Sequence, residues 1–329
     1  MYIITIDTGT TNTRVCLWNN DQVITMAKRA IGVRNTGIDG HNLQLRAAIS
    51  ESINELLLQQ NIGFDDIQIV LASGMITSNL GLAEVPHETA PVDCHKLAAN
   101  IHKQTFTDIC PQAIHFIPGV KNQMPDDMNN VEAMDFMRGE EVEVIALMAA
   151  NKIIGPAVIV LPGSHTKFVA IDQDGHISAC CTTLAGELNE VITENTILSS
   201  SLQKRFSDQL DHVQLLAGAA STRKVGFARS LFSLRILEQV GKLAHHKLAS
   251  FLLGAIAQSD IDAMLSSQTL NYEVSVPVFI YGDSMAGLAF TEVLKKTLPN
   301  VKAHSVFQHE GNYLAGSGAI LVAKSAELI

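Results

Sequence analysis

The stretch IDTGTTNTR, residues 6–14, lies between two short runs rich in β-branched and apolar residues, 2–6 and 14–18. A third run, 23–29, follows the turn NND. Runs of this kind, broken by Gly, Asn, Asp and Thr, predict a three-strand meander. Asp7 closes the first strand and Gly9 permits a tight hairpin. Thr10, Thr11 and Asn12 can offer backbone N–H and side-chain groups to phosphate oxygens. Asp7, beside such a turn, suits Mg²⁺ held through water, because that ion keeps part of its hydration shell. An ordinary polar hairpin uses the same residue types, so this loop alone does not decide between the two.

Working outward, the same order recurs. Residues 157–161 read as a strand, PGSHT as a turn, 167–171 and 177–183 as strands, with a DG turn between the last two. The loop LPGSHTKF, 161–168, repeats the placement of the first: Gly163, Ser164 and Thr166 could wrap phosphates, and His165 and Lys167 bring positive charge. The first half continues with a helix over 43–60, carrying Leu45, Ile49, Ile53, Leu56 and Leu57 at helical spacing, and a strand over 67–72 that ends in SGMITSN. The second continues with a helix over 188–198, a long helical region over 231–265, a strand at 276–281, a helix at 285–297, a strand at 301–307 and a terminal helix at 313–326. Two halves in one order predict a duplicated α/β architecture, residues 1–150 and 151–329, with a cleft between them and a hinge near 149–156. The small residues of AGSGA, 315–319, predict close helix contact near that hinge.

FMRGEEVEVIAL, 136–147, begins a helix just before the second loop. Acidic residues in a first turn complement the helix dipole. Alternatively, one carboxylate faces the cleft and takes the proton of an acceptor hydroxyl. Glu140, directly after Gly139, is the preferred base over Glu141, and Arg138 is a candidate for bidentate grip on an acidic substrate. Gly74, Ser78 and Asn79 of SGMITSN join Arg138 as candidates for holding that substrate. In YGDSMAGLAF, 281–290, Gly282 and Asp283 stand between a strand and a helix, where small residues allow a flat base or a phosphate to approach. Leu288 and Ala289 occupy the places where a P-loop needs Lys and Ser/Thr, so that motif is rejected.

Composition limits the partners. The chain has 329 residues, 23 Lys+Arg against 33 Asp+Glu and a formal net charge of −10, which speaks against a broad nucleic-acid surface or an anionic membrane. Its 5 Cys follow no framework spacing, and Cys180 and Cys181 are adjacent. Reduced thiols, no basic-apolar leader and no uninterrupted apolar run of spanning length lead to the expectation of a cytoplasmic protein. Association into a homo-oligomer is left open.

The pair IDTGTTNTR and LPGSHTK resembles the two phosphate loops of the sugar kinase, heat-shock-protein-70 and actin superfamily. The series IDTGTTNTR, SGMITSN with Gly81, IPGV, MRGEE, LPGSHTKF, LAGELNE and GDSMAG is similar to the 2-dehydro-3-deoxygalactonokinase family, in order and over nearly the whole chain. The resemblance implies two ribonuclease-H-like domains of the actin-like ATPase fold. It also implies transfer of the ATP γ-phosphate to the 6-hydroxyl of 2-dehydro-3-deoxy-D-galactonate, in galactonate breakdown. It carries to Asp7, Gly9, Thr10 and Thr11, to Gly163, Ser164, His165, Thr166 and Lys167, and to Arg138, Gly139, Glu140 and Glu141. The chain departs from the family at Thr8, where Trp is common, and at Ser164 and Phe168, where Thr and Trp are common. A kinase for another sugar or acid, a nucleotide-binding regulator or assembly protein and an ATPase or phosphatase using water are the alternatives that the residues leave open.

Overall fold

The structure, a computed structural model, describes residues 2–124, 129–282, 284–307 and 313–329. Its first sheet starts with the expected meander: β1 (Tyr2–Thr8), β2 (Thr13–Asn19) and β3 (Gln22–Arg29) pair antiparallel in sequence. Helices α1 (Val33–Asp39) and α2 (Leu43–Gln60) follow, then β4 (Ile67–Gly74), parallel to β1. Beyond it come β5 (Glu88–Thr89), α3 (Cys94–Ala99), β6 (His102–Thr105), β7 (Ala113–Phe116), β8 (Val120–Lys121) and β9 (Phe136–Met137). The order β3-β2-β1-β4-β7-β6 makes one sheet, and β5, β8 and β9 form a small one beside it. α4 (Glu140–Asn151) then leads into the second half.

There β10 (Ala157–Leu161), β11 (Thr166–Ile171) and β12 (Ile177–Thr183) repeat the meander. α5 (Ala185–Asn195), α6 (His212–Val225), α7 (Phe227–Gln239) and α8 (His245–Ser266) precede β13 (Val278–Tyr281), α9 (Met285–Thr297), β14 (Ala303–Val306) and α10 (Leu314–Ser325). The sheet order is β12-β11-β10-β13-β14, with β10 parallel to β13 as β1 is to β4. The duplication read from the order of elements therefore extends to strand pairing.

Strand alternation assigns the layers. In β10, Ala157, Ile159 and Leu161 face a core shared with α4 and α10, while Val158 and Val160 face the helices α6, α8 and α9. In β1, Ile3 faces that shared core, and Ile4 and Ile6 face α2. The two sheets thus enclose α4 and α10 between them. This is why the strands next to the loops are buried on both faces and read as nearly continuous apolar runs.

The last helix lies so close that side chains do not fit. A Cβ on Gly318 would come within 1.8 Å of the Val142 carbonyl oxygen, and one on Gly316 within 2.4 Å of the Trp18 ring. The close helix contact expected of the AGSGA segment is met. α10 also packs on β1, β4 and α3, so this end of the chain returns to the first sheet.

Two helical expectations needed correction. The helix expected at 188–198 starts at Ala185, and α6 was not foreseen. The helical region at 231–265 is two helices, broken where Lys242 takes a positive φ of 50° beside Gly241. α8 is long and apolar enough by composition to cross a membrane, yet most of its apolar window is buried in the second core.

The two halves are also joined along β12. Val92 and Ile177 exchange backbone hydrogen bonds of 2.9 and 2.8 Å. The buried Asn122 side chain bonds both the amide and the carbonyl of Cys180, at 2.8 and 2.9 Å. Asp135 accepts from the Thr182 hydroxyl at 2.9 Å. The small sheet is fastened to the second half by these contacts. All five cysteines are free thiols.

Candidate active site

The two meander turns are built alike. In the first, the Gly9 amide donates to the Asn12 carbonyl at 2.9 Å, and the Gly9 and Thr10 carbonyls accept from Val33 and Arg34 at 3.2 and 2.9 Å. Gly32 lets the chain come this close: a Cβ there would lie 2.4 Å from the Thr10 oxygen. In the second, the Ser164 carbonyl accepts from the Glu187 amide at 3.0 Å, and a Cβ on Gly186 would lie 2.3 Å from the Gly163 oxygen. Each loop has its carbonyls turned toward the start of the next helix. Among the described residues, the amides of Thr10, Thr11, Gly163 and Ser164 have no backbone partner. Turned-away carbonyls and unpaired amides are the chemistry of an anion cradle.

Both loops face one cleft of about 1640 Å³. A pocket for a single drug-sized ligand takes roughly 300–1,000 Å³, so this one has room for a nucleotide and a second substrate together. Gly9, Thr10, Thr11, Ser78, Asn79, Arg138, Glu140, Gly163, Ser164, His165 and Lys167 all line it.

Between the loops lies the start of α4. Gly139 has a φ of 111°, and a Cβ on it would lie 3.1 Å from the Gly74 Cα. Gly74 in turn, with φ 86°, leaves only 2.6 Å between its own ideal Cβ and the Thr8 carbonyl oxygen, and 3.2 Å to Asp7 Oδ1. Two glycines therefore bring the helix start up against Asp7. The acids that follow have different fates. Glu141 is buried and accepts from the Gly139 amide at 2.9 and 2.7 Å. Burial pushes its carboxyl up to about 8, the neighbouring Glu140 adds to the rise, and those amides and Arg138 offset part of it. Glu140 accepts from the Arg138 amide at 3.0 Å and faces the cleft.

Glu143, one turn further on, also lines the cleft and was not singled out in the sequence. Its spacing of three from Glu140 was the available signal, since that spacing shares a helix face. Burial raises the Glu143 carboxyl well above its ordinary value, and Asp7, Glu140 and Glu141 add to it, with Arg14 opposing. Asp7 is raised by burial as well, eased by Arg14 at 3.3 Å and raised further by Glu140. The Arg14 guanidinium itself stacks 5.3 Å from the Tyr313 ring centroid. Asp7, Glu140 and Glu143 thus influence one another electrostatically, with Arg14 opposing, and are of the oxygen-ligand type that a hard divalent cation takes.

Several candidate residues are placed differently from expectation. Thr166 is buried and faces away from the cleft, into a small pocket lined also by Asp260, Asn189, Leu253, Ile256 and Phe290. Burial pushes the Asp260 carboxyl up to about 6, with the Thr183 and Thr166 hydroxyls beside it partly offsetting the effect. Gly74 is covered by Gly139 and offers no open backbone to a substrate. Asn12 donates its side chain to the Thr11 hydroxyl at 2.9 Å at the exposed tip of the turn. Tyr281 lines the cleft, and a Cβ on the adjacent Gly282 would meet nothing within 4 Å. Asp283 lies outside the described residues.

Two cations proved to be already engaged. Arg138 donates to the Thr77 carbonyl at 2.6 Å, the Thr77 hydroxyl, the Val85 carbonyl at 3.0 Å and His87 Nδ1 at 3.1 Å. Both terminal nitrogens are taken, so the bidentate grip expected of it is not open. Because Arg can only donate, His87 Nδ1 accepts and the ring proton sits on Nε2. Burial lowers the His87 pKa to about 4, and Arg138, Lys121 and Lys167 add to the effect. Lys167 is 7% exposed; its ammonium donates to the Phe136 carbonyl at 2.9 Å and the Thr182 hydroxyl at 2.7 Å. It ties the strand of the second loop to the segment that leads into Glu140.

Residues 7–312 match the family model described as 2-keto-3-deoxy-galactonokinase. The chain belongs to that family. It is an ATP-dependent kinase of 2-keto-3-deoxygalactonate, another name for the 2-dehydro-3-deoxy acid. The fold is shared with a Sinorhizobium meliloti protein provisionally assigned as a 2-dehydro-3-deoxygalactonokinase, at TM-score 0.73 and 20% identity over 98% of both chains. It is shared more distantly with the activator of 2-hydroxyisocaproyl-CoA dehydratase from Clostridium difficile, at TM-score 0.50 and 11% identity over 99% of this chain and 96% of that one. Component A of (R)-2-hydroxyglutaryl-CoA dehydratase from Acidaminococcus fermentans gives TM-score 0.50 and 13% identity over 99% of both. Among curated proteins none matches. These neighbours bear out the two-domain actin-like architecture of this kinase.

Proposed function

We propose that this kinase holds ATP across its two turns and passes the γ-phosphate to the 6-hydroxyl of 2-keto-3-deoxygalactonate, with Glu140 as the base. The observation that carries the reading is Glu140 itself. It is held by the Arg138 amide at 3.0 Å, and it opens onto a cleft that both anion cradles also line. The division of labour follows from the elements. Gly9, Thr10 and Thr11 of the first half, and Gly163 and Ser164 of the second, cradle the phosphates from opposite sides. The apolar pocket between α8 and α9, with Asp260 as its acceptor, suits the base of the nucleotide. Ser78 and Asn79 form part of the wall for the acid.

In phosphoryl transfer the protein mainly positions groups and stabilises charge. Glu140 orients the acceptor hydroxyl and takes its proton. Asp7 and Glu143 would hold Mg²⁺, which supplies neutralisation of phosphate charge. Residues 1–150 and 151–329 act as the two closing bodies, and closure keeps water from accepting the phosphoryl group. The acidic chain works on small molecules in the cytoplasm, without a nucleic-acid or membrane partner, as a step of galactonate breakdown.

The test is ADP release from Mg-ATP with 2-keto-3-deoxygalactonate, its gluconate epimer, galactonate or no acceptor. Release only with the first supports the reading. Release with another acid moves the substrate, and release without any acceptor replaces the kinase by an ATPase.

A further inference from the structure

The substrate of the proposed reaction is a carboxylic acid, and a carboxylate inside a cleft needs a cationic or N–H partner. The cleft is lined by Arg34, Arg138, Lys167 and the histidines His87 and His165. Arg138 has both terminal nitrogens bound to Thr77, Val85 and His87. Lys167 spends two of its three N–H donors on Phe136 and Thr182, is 7% exposed and belongs to the second half, beside the second loop. His165 pairs with Glu187 at 3.1 Å. His87 is neutral above its lowered pKa of about 4. Arg34 remains: it lines the same cleft, and among the described residues its guanidinium has no ion pair or hydrogen bond.

Its position suits the far end of the acceptor. The Arg34 amide donates to the Thr10 carbonyl at 2.9 Å, which fixes its backbone beside the first loop. The chain around it borders the 78–81 turn: Asn42 donates to the Gly81 carbonyl at 2.8 Å, and a Cβ on Gly37 would touch Leu80 at 3.9 Å. Arg34 therefore stands on the wall that carries Ser78 and Asn79. The hydroxyl to be phosphorylated and the carboxylate are at opposite ends of the acid, and Glu140 holds the hydroxyl end. A planar guanidinium with a free edge is the group that binds a carboxylate bidentately.

We propose that Arg34 reads the carboxylate of the sugar acid and is the residue that makes this kinase select acids over neutral sugars. The proposal rests on the kinase reading above. It places no catalytic role on Arg34, so the expected signature is in acceptor KM.

The experiment compares wild type with Arg34→Met and Arg34→Lys, using the acid and its primary amide as acceptors. Loss of a charge-assisted contact predicts a KM for the acid raised roughly 10- to 100-fold in Arg34→Met. Arg34→Lys falls between, because it keeps the charge and loses the fork. With the amide, variants and wild type converge, and calorimetric titration of ATP gives similar affinities. An unchanged KM for the acid overturns the proposal. So does a loss that appears in ATP affinity, which assigns Arg34 to the phosphates. Wild type that turns over neither acceptor instead refutes the kinase reading, and Arg34's role with it.

Discussion

Gly139 and Gly74 meet backbone to backbone beside Asp7: a Cβ built on Gly139 would lie 3.1 Å from the Gly74 Cα. Gly139 also holds a φ of 111°, a conformation that residues with a Cβ rarely adopt. Through this contact the first turn of α4, with Glu140 and Glu143, is set against the end of β1. Gly139→Ala should destabilise the protein by about 1–3 kcal/mol and lower kcat by shifting Glu140. Chemical denaturation together with steady-state kinetics checks both. A variant with wild-type stability and turnover would show that the close approach is not needed.

Glu140→Gln keeps the size and the acceptor oxygen for the Arg138 amide but removes the base. Turnover should fall about 10²–10⁴-fold, the usual range for a general base, while ATP still binds. Glu141→Gln should leave ATP binding intact and act mainly on stability, because Glu141 is buried against the Gly139 amide. Calorimetry with ATP and single-turnover rates separate the two. Equal effects of both changes on the chemical step would contradict the assignment.

Lys167→Met tests a placement that differs from expectation. The ammonium joins the Phe136 carbonyl and the Thr182 hydroxyl, so its removal loses two hydrogen bonds, while Thr182 keeps its bond to Asp135. The cost is about 0.5–1.5 kcal/mol per lost bond. kcat should drop with ATP affinity little changed. A drop confined to ATP affinity would return Lys167 to the phosphates.

Sequence and structure agree most closely where chemistry is local. The meander turns announced themselves through Gly9 and Gly163 because tight turns demand particular residues. Glu140 announced itself through Gly139, which a helix start of this geometry requires. Arg138 and Lys167 have surroundings that no local pattern reveals: their cationic groups bond Thr77, Val85, Phe136 and Thr182, which come near only on folding. Thr166 stands one step of strand alternation from the cleft side of its strand, in the pocket proposed above for the nucleotide base. In β11, Lys167 faces the cleft and Thr166 the opposite side. His87 and Asp260 carried no motif, and their surroundings exist only after folding.

Asp260 makes stability depend on pH in a definite direction. Its folded pKa, about 6, lies above the 3.8 of an ordinary aspartate. Stability associated with the protonated form is fully present below 3.8 and is lost as pH rises through 6. Asp260→Asn should therefore gain on wild type across that window, by on the order of 2–3 kcal/mol at pH 8, with little difference below pH 4. His87 works the other way. Its folded pKa of about 4 lies below 6.5, so its contribution is present above 6.5 and is lost as pH falls toward 4. Unfolding curves of wild type, Asp260→Asn and His87→Gln between pH 4 and 8 check both signs. A flat difference for Asp260→Asn would mean that the carboxyl titrates normally.

The most direct measurement of the central claim is the identity of the product. Wild type and Glu140→Gln are incubated with Mg-ATP and 2-keto-3-deoxygalactonate, and proton-coupled phosphorus NMR is recorded on the product. The account predicts a phosphomonoester coupled to the methylene protons of the terminal carbon, formed by wild type and nearly absent with Glu140→Gln. A phosphate ester elsewhere on the acid, inorganic phosphate alone, or equal product from both proteins would contradict it.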